Sequence, residues 1–176
     1  MKKCTDLNSV KEVARCLLYT DVHKVENYSF IVKHPFTDTT FATIVRNPEK
    51  VTENEVINIL ESESNLNRWR EYVAERIDSA DSADEIYCRI TKPYRLTFMK
   101  YAGRYLSEKD FAEMLCAAWI TSENPNSDVN VSQSELLQMF RSADKSLLMT
   151  AEERKRLDEL DDPVTVYRGV KPYNAK

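Results

Sequence analysis

The sequence predicts an α+β fold that is mostly helical, with one β-hairpin near residues 28–46 and a C-terminal β-strand near 164–168. Three observations predict it. Capping boxes, a Ser or Thr followed three residues later by Glu, recur at Ser9/Glu12, Thr52/Glu55, Ser132/Glu135 and Thr150/Glu153, with Ser107/Asp110 as a near variant. Each box satisfies two backbone N–H groups that a helix start otherwise leaves unpaired. Two neighbouring runs, YSFIVK and TFATIVR, alternate apolar and polar residues with period two. Gly103 and Gly169 are the only glycines, so turns must be built from Asn, Asp and Pro.

The elements follow in order. The first helix carries Val10, Val13, Ala14, Leu17 and Leu18 on one face. Tyr28, Phe30 and Val32, then Phe41, Thr43 and Val45, give two strands joined by HPFTD as a hairpin. A helix is expected over 52–61, with Val51 and Val56 as a hydrophobic staple. Another is expected over 65–79, striped by Leu66, Trp69, Val73 and Ile77. DSADSADE reads as a polar joint leading into a helix, and residues 84–90 read equally as helix or strand. Tyr94, Phe98, Tyr101 and Tyr105 recur at helical spacing. FAEMLCAAWI has a single polar residue, which predicts a helix buried nearly all round. Leu106/Phe111 and Val131/Leu136 staple two further starts. TSENPNSDVN is a loop, short helices follow over 133–142 and 151–160, and the closing strand ends the chain. Residues 1–160 thus read as a helical domain with an inserted hairpin, and 161–176 as the first strand of a second unit.

Composition bounds the function. Apolar residues make up 42% of the chain, enough for a packed core. The formal net charge of −4 is not the basic balance of a nucleic-acid coat. No apolar run has the length of a membrane span, and MKKCTDLNSVKEV lacks the apolar stretch of a signal peptide. Cys4, Cys16, Cys88 and Cys116 are widely spaced and read as reduced thiols of a cytosolic protein. With only His23 and His34, and no closely spaced cysteine pair, no metal site is expected. A chain with two glycines holds neither a P-loop nor a dinucleotide fingerprint.

DDPVTVYRGV, residues 161–170, raises a separate question. In a strand, Val164, Val166, Arg168 and Val170 share a face, which places a guanidinium among valines. Arg168 either reaches water from an edge strand or meets an anion, for which its planar fork is suited. VTVYRGV resembles the first conserved strand of the arginine class of ADP-ribosyltransferases. AWITSENPN, VSQSELLQMFRSAD and the following residues are similar to a helical lead-in of phage and Firmicutes prophage proteins that carry such a domain. The resemblance implies that Arg168 contacts NAD, with Tyr167 and Gly169 shaping the strand. It also implies a later Ser-Thr-Ser strand and a catalytic Glu-x-Glu. Neither follows VTVYRGV in this sequence, so no catalytic residue is assigned, and the chain is expected to be the helical N-terminal part of such a protein.

A second constellation lies at residues 86–106, where Arg89, Lys92, Arg95, Lys100 and Arg104 occur with no acidic residue and with Tyr87, Tyr94, Tyr101 and Tyr105 interleaved. Three readings stay open: an aromatic core stripe with solvated charges, a protein-contact surface, and phosphate contact with base stacking. The acidic stretches DSADSADE and LDELDD read as solvated loops. The expected function is binding: a phage or mobile-element protein in a bacterial cytoplasm that engages a host protein or nucleoprotein complex, an inhibitor of a host defence nuclease of the anti-CRISPR kind among them. One alternative is a protein ADP-ribosyltransferase, the only case that brings in NAD as cofactor. The other is a nucleic-acid-binding module through residues 89–104.

Overall fold

The computed structural model describes residues 4–47, 50–122 and 130–160. The expected strand at 164–168, with Tyr167, Arg168 and Gly169, lies outside the described residues. Among the described residues the chain is α+β, with eight α-helices and five short strands in two antiparallel sheets.

Helix α1 (Leu7–Leu18) begins one turn earlier than its expected box. The Asp6 carboxylate, not Ser9, is the cap, accepting from the Ser9 N–H at 3.2 Å. Val10, Ala14, Leu17 and Leu18 are its buried face.

The β region lies where expected but pairs differently. β1 (His23–Lys24) and β2 (Ile31–His34) are antiparallel, and β2 turns directly into β3 (Thr37–Thr39). β4 (Phe41–Val45) pairs over its whole length with β5 (Asn54–Asn58). YSFIVK and TFATIVR therefore do not form a hairpin with each other. The chain reverses within Pro35–Phe36, so Thr37–Thr39 takes the edge of β2 first. The two sheets are stitched at Thr40, whose N–H donates to Phe30 O and whose carbonyl accepts from the Ile59 N–H, each at 2.8 Å.

The helix expected over 52–61 is not there. Val51–Glu53 is a single 3₁₀ turn, and β5 follows. Glu55, which would have closed a capping box, instead accepts from Arg68 at 2.6 Å and Arg46 at 3.0 Å. NEVIN places β-branched residues at adjacent positions, and alternate exposure suits them to a strand.

Helix α2 (Glu63–Asp78) starts on a Ser62 cap and buries Trp69 and Ile77. Residues 84–90 resolve to helix: α3 (Ala83–Arg89) is capped by Ser82, which accepts from the Glu85 N–H. A 3₁₀ turn, Lys92–Tyr94, leads into α4 (Arg95–Ala102), and a second, Gly103–Tyr105, leads into α5 (Glu108–Thr121). Gly103 leaves room for a neighbour, since a Cβ there would stand 2.7 Å from the Phe111 ring. α5 buries Phe111, Ala112, Met114, Leu115 and Ala118, while Lys109, Glu113, Trp119 and Ile120 are exposed, Ile120 at 78%. The expectation of burial nearly all round is corrected: the helix keeps an exposed face along its length. α6 (Gln133–Ser142) and α8 (Ala151–Asp158) carry the two complete capping boxes the sequence predicts, with the short α7 (Lys145–Leu148) between them.

The core sits where α1, α3, α4 and α5 meet, around Val10, Leu18, Ile86, Phe98, Met99 and Leu115. Phe98 is fully buried. The start of the chain is fastened to this centre: Asp6 N–H donates to Tyr105 O at 2.8 Å, Thr5 accepts from the Ser107 N–H at 2.7 Å, and the Thr5 hydroxyl donates to Asp110. No helix among the described residues is long and apolar enough to cross a membrane.

Candidate anion-binding cleft

The connection between α3 and α4 is pinned to the β2–β3 turn. The Thr91 N–H donates to Pro35 O at 2.8 Å, and its hydroxyl donates to His34 O at 3.1 Å. This anchor sets Arg89 and Lys92 beside Lys33, whose side chain points outward from β2. A cleft of about 820 Å³ results, bordered among the described residues by Lys33, Arg89, Lys92 and Arg95 against one carboxylate, Asp38. Thr91, Thr121, Ser122 and Asn130 supply neutral polar walls.

The cations differ in how they are held. Arg95 is half-buried. Its Nε donates to Ile90 O and an Nη donates to the Thr121 hydroxyl, each at 3.3 Å, and its guanidinium lies over the Tyr87 ring. Burial pushes the Tyr87 phenol up to about 12, with the Arg95 charge working in the opposite direction. Lys33, Arg89 and Lys92 are exposed and make no ion pair among the described residues. Arginine and lysine heads that no carboxylate pairs are open to an entering anion.

The basic segment predicted as one surface is divided. Arg89, Lys92 and Arg95 border this cleft. Lys100 is committed elsewhere, to Glu135 at 3.0 Å and Asn130 O at 2.7 Å. The Ser132 backbone N–H and then Lys100 hold the Glu135 carboxyl down to about 2. Arg104 lies over Tyr105 and borders a separate hollow with Met99, Phe111 and Met139. Lys33 is the cation that sequence reasoning missed. Its signal was its position in IVKH, between two residues that face the core.

The cleft holds no ready nucleophile–base pair. Cys88 and His34 both border it, but the imidazole is fully engaged with backbone. Its Nε2 donates to Leu18 O at 3.2 Å and its Nδ1 accepts from the Phe36 N–H at 3.1 Å. The ring also meets Trp69 edge-on. Burial lowers its pKa to about 4, so the ring is neutral and structural. The four cysteines are free thiols. Among the described residues no three His, Cys, Asp or Glu side chains gather to hold a metal. Convergent guanidinium and ammonium donors of this kind suit an anion. No family model matches the chain, and no curated protein and no solved structure matches it either.

Proposed function

We propose that the protein acts by binding, and that the cleft between the β2–β3 turn and the α3–α4 connection receives an acidic surface of a partner protein. The observation that carries this reading is the meeting of four cations with one carboxylate, three of the cations being unpaired among the described residues. Such an arrangement accelerates encounter with a negative partner and discriminates against a positive one. The resemblance carried by VTVYRGV gives the proposal its setting: a phage or mobile-element protein acting on a host defence nuclease, itself a nucleoprotein complex. The enzymatic alternative rests on Arg168, which lies outside the described residues.

The test is inhibition of an RNA-guided nuclease from a bacterial host by the purified protein, followed by the double variant R89E/K92E. The expected result is loss of cleavage, relieved about tenfold or more by the charge reversal. Inhibition that both proteins share equally would remove the cleft from the account. Transfer of label from NAD to protein, abolished by Arg168→Lys, would replace binding with catalysis.

A further inference from the structure

The cationic cleft does not end at its own walls. Lys33, Tyr94 and Asn130 also border a second cleft of about 820 Å³, between the β1–β2 region and α4. Leu17, Thr20 and Tyr101 border both that cleft and a third, of about 670 Å³, that runs along α1 to Asn8. The three clefts thus adjoin through shared wall residues. Tyr94, Tyr101 and Tyr105 stand along them, spanning about 16 Å at the helical rise per residue. These belong to the stripe seen in the sequence: Phe98 goes to the core, Tyr94 and Tyr105 pack part-buried against it, and Tyr101 faces outward. Tyr101 is 49% exposed, whereas Phe98 is fully buried.

Charge across the three clefts is graded. The first compartment is cationic. The second is balanced, with Lys24 and Lys33 facing Asp21 and Glu26. In the third, Glu12 is the one charged wall among the described residues. A nucleic-acid strand carries a phosphate at every residue and would meet carboxylates beyond the first compartment. A polypeptide can change its charge along its length.

We propose that these adjoining clefts form a docking channel for a linear segment of a partner protein, acidic at one end and apolar over the residues that follow. The acidic end lies between Lys33, Arg89 and Lys92, and the apolar stretch lies against Tyr94, Tyr101 and Tyr105. An extended segment covers the three tyrosines with about five residues. Buried tyrosine contacts at the centre of an interface supply most of the affinity, and the charged end fixes direction. This inference rests on the cationic cleft as a binding site and adds the chemistry and polarity of what enters it.

The experiment uses fluorescein-labelled synthetic peptides of about ten residues and the intact protein. One peptide has glutamates at one end followed by Leu, Trp and Ile, one has the same residues interleaved, and one is acidic throughout. A single-stranded oligonucleotide of equal length is the fourth probe. The expected result is that the polarised peptide binds about tenfold more tightly than the interleaved or all-acidic peptide. Tyr101→Ser, and Thr20→Trp as a block of the channel, remove that advantage and leave the all-acidic peptide unchanged, while R89E/K92E weakens both. Equal binding of polarised and all-acidic peptides, both lost in R89E/K92E, would overturn the channel and leave the cationic cleft standing. Failure of every peptide to bind, or displacement of the polarised peptide by the oligonucleotide, would also overturn the channel. The nuclease assay then decides the cleft separately.

Discussion

The guanidinium of Arg95 lies over the ring of Tyr87, its central carbon 4.8 Å from the ring centroid. The pair joins α3 to the start of α4, and the Thr121 hydroxyl extends the connection to the end of α5. The Tyr87 hydroxyl is buried and makes no well-formed hydrogen bond among the described residues, with the Arg95 guanidinium as its polar neighbour. Tyr87→Phe should therefore leave stability unchanged or raise it by up to about 1 kcal/mol, because it removes a desolvated group and keeps the ring. Arg95→Ala should cost about 1–2 kcal/mol through lost stacking and two lost hydrogen bonds. Urea unfolding of both variants checks the pair.

His34 ties stability to pH. Its pKa falls from the ordinary 6.5 to about 4 in the fold, because burial disfavours the charged ring. The unfolded chain thus binds the proton more readily than the folded one. The contribution of neutral His34 is complete above pH 6.5 and is lost as pH falls towards about 4, amounting to at most about 3 kcal/mol. Thermal unfolding of the wild type should decline over this window. His34→Gln should be less stable at neutral pH and flatter between pH 6.5 and 4.

Gly103→Ala tests the approach of α5 to the turn before it. The added methyl meets the Phe111 ring at 2.7 Å, and that ring is itself buried. A cost of about 1–3 kcal/mol is expected, since the ring must shift within a packed core. Phe111→Leu in the same chain should recover part of it, read as a smaller loss in the double variant than the two single losses combined.

Thr97 carries a buried hydroxyl without a partner on the inner wall of α4. Thr97→Val keeps the shape and removes the polar atom. It should raise the midpoint of urea unfolding by an amount worth about 1 kcal/mol. A fall would mean that the hydroxyl has a partner in solution.

Helix starts were the most legible feature of the sequence, because a cap is a local bargain between side chain and backbone. Ser132 and Thr150 form the boxes they spell, and Ser107 caps α5. The same local rule misled at Thr52, where the spacing is right but Glu55 is drawn away by Arg68, thirteen residues distant. Ser82/Glu85 has the spacing of a box too, yet Glu85 reaches the Asp81 N–H, so only half of it forms. Strand pairing was less legible, since YSFIVK and TFATIVR each alternate correctly and nothing in either names its partner. The binding face was half legible. Arg89, Lys92 and Arg95 were visible as a run, but Lys33 joins them only because Thr91 bonds to His34 and Pro35. That contact spans fifty-seven positions and leaves no trace in local pattern.

The stitch at Thr40 has a consequence for how the β region yields. Thr40's amide and carbonyl, with the Phe41 N–H donating to the Thr39 hydroxyl at 3.3 Å, link the two ladders among the described residues, so either ladder is expected to lose protection from exchange while its neighbour keeps it. The β region is thus expected to yield as two small flaps hung from a helical body rather than as a wall, each hinged near Thr40.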